Sequence, residues 1–300
     1  MSGHDIAGTV LVLFAAVVNA CSTVLQRRAA RDEPDHIAFS VGMLFDLVRR
    51  PSWVGGILCM IVGFLLQAAA LTVGRIAVVQ PLLSAELPLT LLLAAWAFGH
   101  GLPRREWVAI GAMAIGLAAL VYCLSPSGGD VFGAPTLRWL VALMIGLAAV
   151  FGLTLAGRTR HGQPRAAALG VATGTLFGIV AALVAGVGAA WVGGVPGLLT
   201  AWQTYAVIVL GPTSFFLLQS ALQAGSLDAS QPGFTLMNPL VGVLWGVFVF
   251  GEHPRGGGWI AGELVSAAVI VAATLLLVRS PALTAGDPPA RAAPAGSTNG

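Results

Sequence analysis

Glu86 is an acidic residue near the middle of a long apolar stretch, and the residues around it recur later in the chain. The first copy runs from Ala70 to Leu89, and the second runs from Ala221 to Leu240, 151 residues further on. Seven of the 20 aligned positions are identical, including a Gln-Pro pair at the same distance from a following Pro-Leu pair. A carboxylate in the middle of a bilayer is costly unless it is protonated, paired or hydrated, and such residues mark pathways for ions or solutes. The acid and the repeat together predict a binding site in a transporter.

The two copies place different chemistry at matching positions, because Glu86 is aligned with Met237. In the first copy, prolines remove backbone donors and free carbonyls that can bind an ion or a solute. In the second copy, three polar side chains at spacing i, i+4 and i+7 share one helical face. Each polar side chain also has a structural interpretation, as a hydrogen-bonding contact between helices in lipid. The residues that we predict to bind the substrate or the coupling ion are Glu86, Gln80, Pro81, Pro88, Gln231, Thr235, Asn238, Trp245, Gln67, Gln219 and Asn19.

The composition places this site in a membrane. Of the 300 residues, 57% are hydrophobic and only 9% are charged, and the mean hydropathy is +0.89. Apolar stretches of about 18 residues or more recur, and each is long enough to cross the hydrocarbon core. The alternating segments typical of β-barrels are absent. All 15 basic residues are arginines, and they lie near the ends of the apolar stretches, so the net charge of +3 indicates membrane topology and not nucleic-acid binding.

We therefore predict an all-α polytopic membrane protein with nine transmembrane helices. Tryptophans near the ends of the spans fit the interfacial positions of this residue type, and they are Trp53, Trp107, Trp139, Trp191, Trp202 and Trp259. The predicted spans are Ile6–Leu25, Trp53–Val73, Ile76–Phe98, Trp107–Leu124, Leu137–Ala156, Ala166–Val192, Tyr205–Ala224, Leu227–Phe250 and Trp259–Val278.

A tenth helix is required if the short apolar segment Ile37–Val48 also crosses. Its 12 residues are few for a crossing and suit a re-entrant or interfacial helix better. With nine spans and the N-terminus outside, 12 arginines lie on the cytoplasmic side and 3 lie outside. With ten spans the division is 9 against 6, so the positive-inside rule favours nine and a cytoplasmic C-terminus. The repeat argues the other way, because five spans in the second half suggest five in the first.

The repeated helices are separated by an odd number of crossings, five under either count. They therefore enter the membrane from opposite sides, which predicts two inverted repeats of about five helices, as in many alternating-access carriers. The first repeat comprises residues 1–125 and the second residues 137–279. A loop rich in Gly, Pro and Ser joins them at 126–136, and a low-complexity tail that we expect to be disordered follows at 280–300.

These features resemble the drug/metabolite transporter superfamily of the EamA type. The resemblance is carried by the stretches from Gly74 to Leu89 and from Gly225 to Leu240, and by the Gly251-Glu252 pair that precedes the last helix. The first half departs from the pattern, because it has Gly99-His100 where the family usually has Gly-Glu. The nine-span plan, with a basic cluster after the first helix, also resembles the NIPA-type magnesium transporters. The resemblance implies a transporter fold and leaves the substrate open.

The leading hypothesis is a secondary carrier of a small organic metabolite or drug-like solute in the plasma membrane, coupled to protons or working by exchange. The alternatives are a NIPA-like transporter of magnesium or another divalent cation, and a non-transporting scaffold subunit. The sequence contains no Walker loop, HExxH, GxSxG or cluster of metal ligands, so we expect no enzyme, no cofactor and no resident metal. The expected partners are a small-molecule substrate or cation and the lipid bilayer, with no nucleic acid. The sequence is compatible with a homodimer as well as with a monomer.

Overall fold

The fold is a bundle of long helices, in a computed structural model that describes residues 3–31, 51–99, 101–224 and 227–280. The segment Ile37–Val48 and nearly all of the predicted tail lie outside the described residues. The helices are α1 (Gly3–Arg31), α2 (Pro51–Val73), α3 (Ile76–Leu83), α4 (Glu86–Phe98), α5 (Arg104–Leu124), α6 (Thr136–Arg158), α7 (Gln163–Ala190), α8 (Gly194–Thr200), α9 (Trp202–Ala224), α10 (Leu227–Phe248) and α11 (Trp259–Val278). A 3₁₀ turn at Trp191–Gly193 leads into α8, and two short strands complete the fold, β1 (Ser127–Gly128) and β2 (Glu252–His253).

Among the described residues, eight helical stretches are long and apolar enough to cross a membrane. One of them comprises α3 and α4 together, and another runs from α7 through α8. Helix α10 has the length of a crossing helix, 22 residues, but its polar residues lower its hydropathy and it is not among the eight. These helices confirm the prediction of an all-α polytopic membrane protein. Long apolar stretches form helices because the backbone groups of a chain in lipid must satisfy their hydrogen bonds internally.

Small residues set the closest helix contacts. On α7, Gly170, Gly174 and Gly178 follow one another at intervals of four and lie directly against the backbone of α10. A Cβ atom on Gly170 would lie 2.1 Å from the Ser230 carbonyl oxygen, so no larger residue fits there without a shift. This is the small-residue packing that helices use in lipid, where apolar side chains gain little by leaving the solvent.

The first two helices are antiparallel neighbours. Near the start of α1, Gly8 lies against Gly74, just after the end of α2, while Ser22 donates a 2.7 Å hydrogen bond to the Gly56 carbonyl near the start of α2. The end of α1 and the start of α2 therefore lie at the same end of the bundle.

The prediction that Trp139 is an interfacial residue is wrong. Its side chain is only 2% exposed, because it forms the centre of an aromatic cluster. Trp202, Trp245 and Phe250 surround it, with ring centroids 5.3–5.4 Å away, and the two tryptophans meet it edge to face. The apolar area that three packed rings bury outweighs the interfacial preference of one indole.

Two short strands from distant parts of the chain pair at one end of the bundle and join two loops there, and we call this pair the hairpin although no tight turn connects its strands. β1 and β2 pair antiparallel, with Ser127 opposite His253 and Gly128 opposite Glu252. The Asp130 N–H also donates to the Phe250 carbonyl at 2.9 Å. The loop that links the two halves of the chain is thereby fastened to the loop between α10 and α11. We call this end of the bundle, which carries the hairpin and the start of α1, the hairpin face.

Candidate functional site

Glu86 lies where its transmembrane helix is interrupted. Ser84 and Ala85 form a tight turn between α3 and α4, and Glu86 is the first residue of α4. The side chain of Glu86 is partly buried and is hydrogen-bonded to the side chain of Asn19 on α1. Asn19 in turn packs against Gly63 of α2, where a Cβ atom would lie 1.9 Å from its Oδ1 atom. Two of the predicted residues, Glu86 and Asn19, are thus brought together.

The prolines account for the interruption. Pro88 has no N–H to donate to the Ser84 carbonyl, which instead accepts from the Leu87 N–H at 3.2 Å. The Ser84 N–H donates to the Pro81 carbonyl and the Ala85 N–H to the Leu82 carbonyl, each at 3.0 Å and each over three residues. These tighter bonds replace one turn of the α-helix and set the direction in which Glu86 points.

The second copy is not broken, although its prolines match those of the first. Helix α10 continues from Leu227 to Phe248 with Pro232 and Pro239 inside it. The close contact with the glycines of α7 supports its backbone on both sides of Pro239, so a missing donor there does not open a turn. Prolines at matching positions therefore interrupt the helix in the first copy but not in the second.

Gln80 is the most deeply buried of the predicted polar residues. It is 1% exposed, and neither its Oε1 nor its Nε2 atom has a hydrogen-bond partner. Its side chain lies on Gly242 of α10, where a Cβ atom would come within 2.4 Å of its Cγ atom. Asn238, one turn before Gly242, has a buried Oδ1 atom that is also without a partner. Buried amides without partners are rare, and they occur where water, an ion or a ligand completes the site.

The other predicted residues are more dispersed. Gln231 and Thr235 are partly buried on α10, and Gln67 is partly buried on α2. Trp245 packs on Trp139 in the aromatic cluster, so its position has a structural explanation. Gln219 is exposed on the outer surface of α9, so the fold does not bring it to the others.

Sequence reasoning missed the role of Glu252 as a contact between distant segments. Its carboxylate is 3% exposed and accepts hydrogen bonds from the Ile76 N–H (2.9 Å, Oε1) and the Ala77 N–H (3.0 Å, Oε2). It therefore caps the start of α3 from 175 and 176 residues away along the chain. The Gly-Glu pair in a short loop between apolar helices was visible in the sequence, but its partner was not.

The electrostatics of Glu252 combine opposing influences. Burial raises the pKa of Glu252 to about 7, the two backbone N–H groups and the nearby Arg75 lower it, and Asp5 raises it. Burial is the strongest of these influences. Glu252 can therefore change its charge near neutral pH.

A cavity of about 420 Å³ opens beside this cap at the hairpin face. Its lining includes Arg75, whose Nη1 atom lies 2.6 Å from the Asp5 carboxylate and whose Nε donates to the Gly128 carbonyl at 3.0 Å. Arg255 also lines the cavity, with its guanidinium over the rings of Tyr122 and Trp259. Val78 and Val79 of α3 contribute apolar side chains to the lining, so the cavity has both charged and apolar walls.

The arrangement has three parts that could bind an ion or a solute. Glu86 has Asn19 as an amide partner, and three amide atoms of Gln80 and Asn238 lie between α3 and α10 without partners. At the hairpin face, Glu252 caps α3 beside charged side chains of both signs. Within the described ranges, no group of three or more His, Cys, Asp and Glu residues could hold a metal ion.

No family model and no solved structure matches this chain. The chain is similar to an uncharacterized protein of Corynebacterium glutamicum, with 29% identity over 288 residues. The similar region covers 94% of this chain and 98% of that protein, so the two share nearly their whole lengths.

Proposed function

We propose that this protein is a secondary active transporter that moves a small organic solute across the membrane by alternating access. The observation that carries the proposal is Gln80, which is buried with both amide atoms unpartnered between α3 and α10. A buried amide without hydrogen-bond partners lowers the stability of the folded protein unless another group supplies those hydrogen bonds. A polar solute that enters between the two helices would supply the missing hydrogen bonds.

The two sets of helices support an inverted repeat. Helix α1 packs along α2 and the α3–α4 pair, and α7 packs along α9 and α10 in the same way, while α5 packs on α11. α3 begins at the hairpin face and α10 ends there, so these counterparts run in opposite directions. We therefore refine the predicted repeats of about five helices to two sets of four, with α6 as an additional helix between them.

The same packing supports nine crossings. A single crossing between α1 and α2 would make these helices parallel, whereas they are antiparallel neighbours. With nine crossings, the positive-inside rule favours a hairpin face outside the plasma membrane and a cytoplasmic C-terminus, because three arginines lie on the first side and 12 on the second.

In this proposal, Glu86 and Asn19 form the coupling site. The carboxyl group lies at a helix interruption inside an apolar bundle, where its charge is costly without a partner. Loss or gain of a proton changes its hydrogen bond with Asn19. Movement of α4 relative to α1 would then be linked to proton binding, and the solute site at Gln80 and Asn238 lies on the adjoining helices.

The test is transport in proteoliposomes. Purified protein is reconstituted and uptake and efflux are measured for amino acids, nucleosides, sugars, cationic drugs and Mg²⁺, with and without an imposed pH gradient. We expect saturable movement of at least one organic solute that depends on the gradient or on a counter-solute. Saturable movement of Mg²⁺ alone would favour the divalent-cation alternative. No movement of any solute above protein-free liposomes would leave the scaffold alternative.

A matched control separates the site from the bundle. Gln80→Leu keeps a buried side chain of similar length but removes the amide. If Gln80 binds the solute, this variant remains folded and loses transport, whereas Gln219→Leu on the exposed surface of α9 transports like the unmodified protein.

A further inference from the structure

We propose that Glu252 is the latch of the hairpin face: it holds the start of α3 to the α10–α11 loop, and this face opens when its two hydrogen bonds break. The inference rests on the proposed function, because a latch matters only if the face opens during a transport cycle. It assigns to a loop residue a role that the mid-membrane Glu86 cannot fill.

The contacts of Glu252 join the two halves of the chain. Its carboxylate accepts from both Ile76 and Ala77 on α3, and it lies over Gly246 of α10, where a Cβ atom would come within 2.6 Å of its Oε2 atom. The paired strands β1 and β2 fix its backbone, because Glu252 is itself a strand residue. A single side chain thus fastens α3 and α10, the two helices that carry the predicted solute site.

Other charged side chains lie around Glu252 at the hairpin face and also hold its segments together. Arg75 precedes α3 and is paired with Asp5 of α1, and it also holds the hairpin through Gly128. His253 and Arg255 lie on the same loop as Glu252, and the Arg138 guanidinium on α6 approaches Gly251. These pairs at the rim are partly exposed and contribute little individually. The bidentate cap by Glu252 is the buried contact of the set.

The cavity at the hairpin face lies next to the turn of α3 that Glu252 holds, because Arg75 and Val78 on either side of Ile76 and Ala77 line it. The cavity also reaches Val79, which is 1% exposed and directly precedes Gln80 in the chain. Displacement of the first turn of α3 from Glu252 would extend this cavity toward Gln80 without any change deeper in the bundle.

The charge of Glu252 links the latch to protons. In the closed state, burial raises the pKa of Glu252 to about 7. In an open state, water would solvate the carboxyl and return its pKa toward the ordinary value. The closed latch therefore binds the proton more tightly, so opening releases it at the hairpin face, and a rise in pH through about 7 favours opening.

Labelling of a buried cysteine tests the latch without any transport assay. Val79→Cys is introduced into a chain in which Cys21, Cys59 and Cys123 are replaced by alanine, and its reaction with a membrane-impermeant maleimide is timed in proteoliposomes. We expect Glu252→Ala, and Gly246→Ala, which displaces the carboxylate sterically, to raise the labelling rate roughly tenfold, the change that follows from the loss of about one buried hydrogen bond. Gly211→Ala is the control, because nothing lies near its new Cβ atom, and it should leave the rate unchanged. Equal rates in all four proteins overturn the proposal.

A reversible cross-link keeps the test independent of folding defects. Arg75, which directly precedes α3, donates to the Gly128 carbonyl of β1, so β1 should part from β2 when α3 leaves Glu252. Ser127 and His253 face each other across the two strands, at a separation that suits a disulfide, and a bond between them should keep the face closed. In the same cysteine-free chain, we expect the Ser127→Cys, His253→Cys double variant to lose transport on oxidation and to regain it on reduction. Equal transport by the oxidised and reduced forms overturns the latch. If neither form moves any solute, the proposed function fails, and the labelling rates alone decide whether Glu252 closes this face.

Discussion

Replacement of Glu252 by glutamine is predicted to change how the stability of this protein depends on pH. A carboxyl whose pKa rises from 4.5 to about 7 on folding binds its proton about 3 kcal/mol more tightly in the folded protein than in the unfolded chain. Because the folded pKa is the higher one, this stabilisation is fully present below pH 4.5 and is lost as the pH rises through about 7. Glutamine does not titrate in this range, so Glu252→Gln should lack that part of the pH dependence.

The assay is thermal unfolding of detergent-solubilised protein at pH 5 and pH 8, for Glu252 and Glu252→Gln at one heating rate, because such unfolding is often irreversible. A loss of about 3 kcal/mol corresponds to a fall in the midpoint on the order of 5–10 °C for a chain of this size. From pH 5 to pH 8, we therefore expect the midpoint of the unmodified protein to fall further than that of Glu252→Gln, by on the order of 5–10 °C. Glutamine also replaces one of the two acceptor oxygens by a donor, but this loss is independent of pH and cancels in the comparison.

The control is Asp130→Asn, which removes an exposed carboxylate of the same face that accepts from the Phe132 N–H. It should keep the pH dependence of the unmodified protein. If Glu252→Gln and the unmodified protein lose stability in parallel from pH 5 to pH 8, burial does not raise the pKa of Glu252 in solution, and the proton linkage of the latch is wrong.

Three further predictions concern the interior of the bundle. Glu86→Gln keeps the hydrogen bond with Asn19 but cannot ionise, so we expect that an imposed pH gradient no longer drives uptake of the solute in this variant, although Glu252 still responds to pH; gradient-driven uptake equal to that of the unmodified protein would make Glu86 structural. Asn19→Ala removes the partner of that carboxyl and should lower the transport rate at least tenfold with the fold retained, as judged by circular dichroism. Gly242→Ala should lower stability by about 1–3 kcal/mol in thermal unfolding, because its Cβ atom would overlap Gln80, whereas Gly152→Ala on α6 meets nothing and should cost nothing.

The spans could be predicted from the sequence because one physical quantity, hydropathy, decides them. The last predicted span, Trp259–Val278, has the same bounds as α11, and the predicted ends at Val73 and Leu124 are the ends of α2 and α5. Residues in a bilayer need no partner to define where a helix lies, since the apolar stretch and its polar ends do so locally.

The contacts between helices could be predicted only in part. The glycines at intervals of four on α7 form a pattern that reads as a close contact, but the pattern does not name α10 as the partner. Trp139 could not be placed correctly from the sequence. Its position near a helix end is typical of an interfacial residue, but Trp245 and Phe250, from distant segments, pack on it and bury it. Glu252 is similar, because its partners lie 175 and 176 residues away and are backbone groups that no side-chain pattern marks.

The two copies of the repeat share a sequence pattern but differ in structure, and the residue at one aligned position accounts for the difference. Both copies keep the Gln-Pro and Pro-Leu pairs, yet only the first is interrupted, and it is there that Glu86 stands in place of the aligned Met237. A methionine can pack against the glycines of α7, and Met237 does so at Gly174, so that copy gains a continuous helix. A carboxyl cannot be packed in that way and needs a polar partner, which the turn at Ser84 and Ala85 and the Asn19 side chain provide. The same backbone pattern therefore forms a rigid packing helix in one half and a polar, jointed helix in the other, and the joint is where we expect the coupled movement to occur.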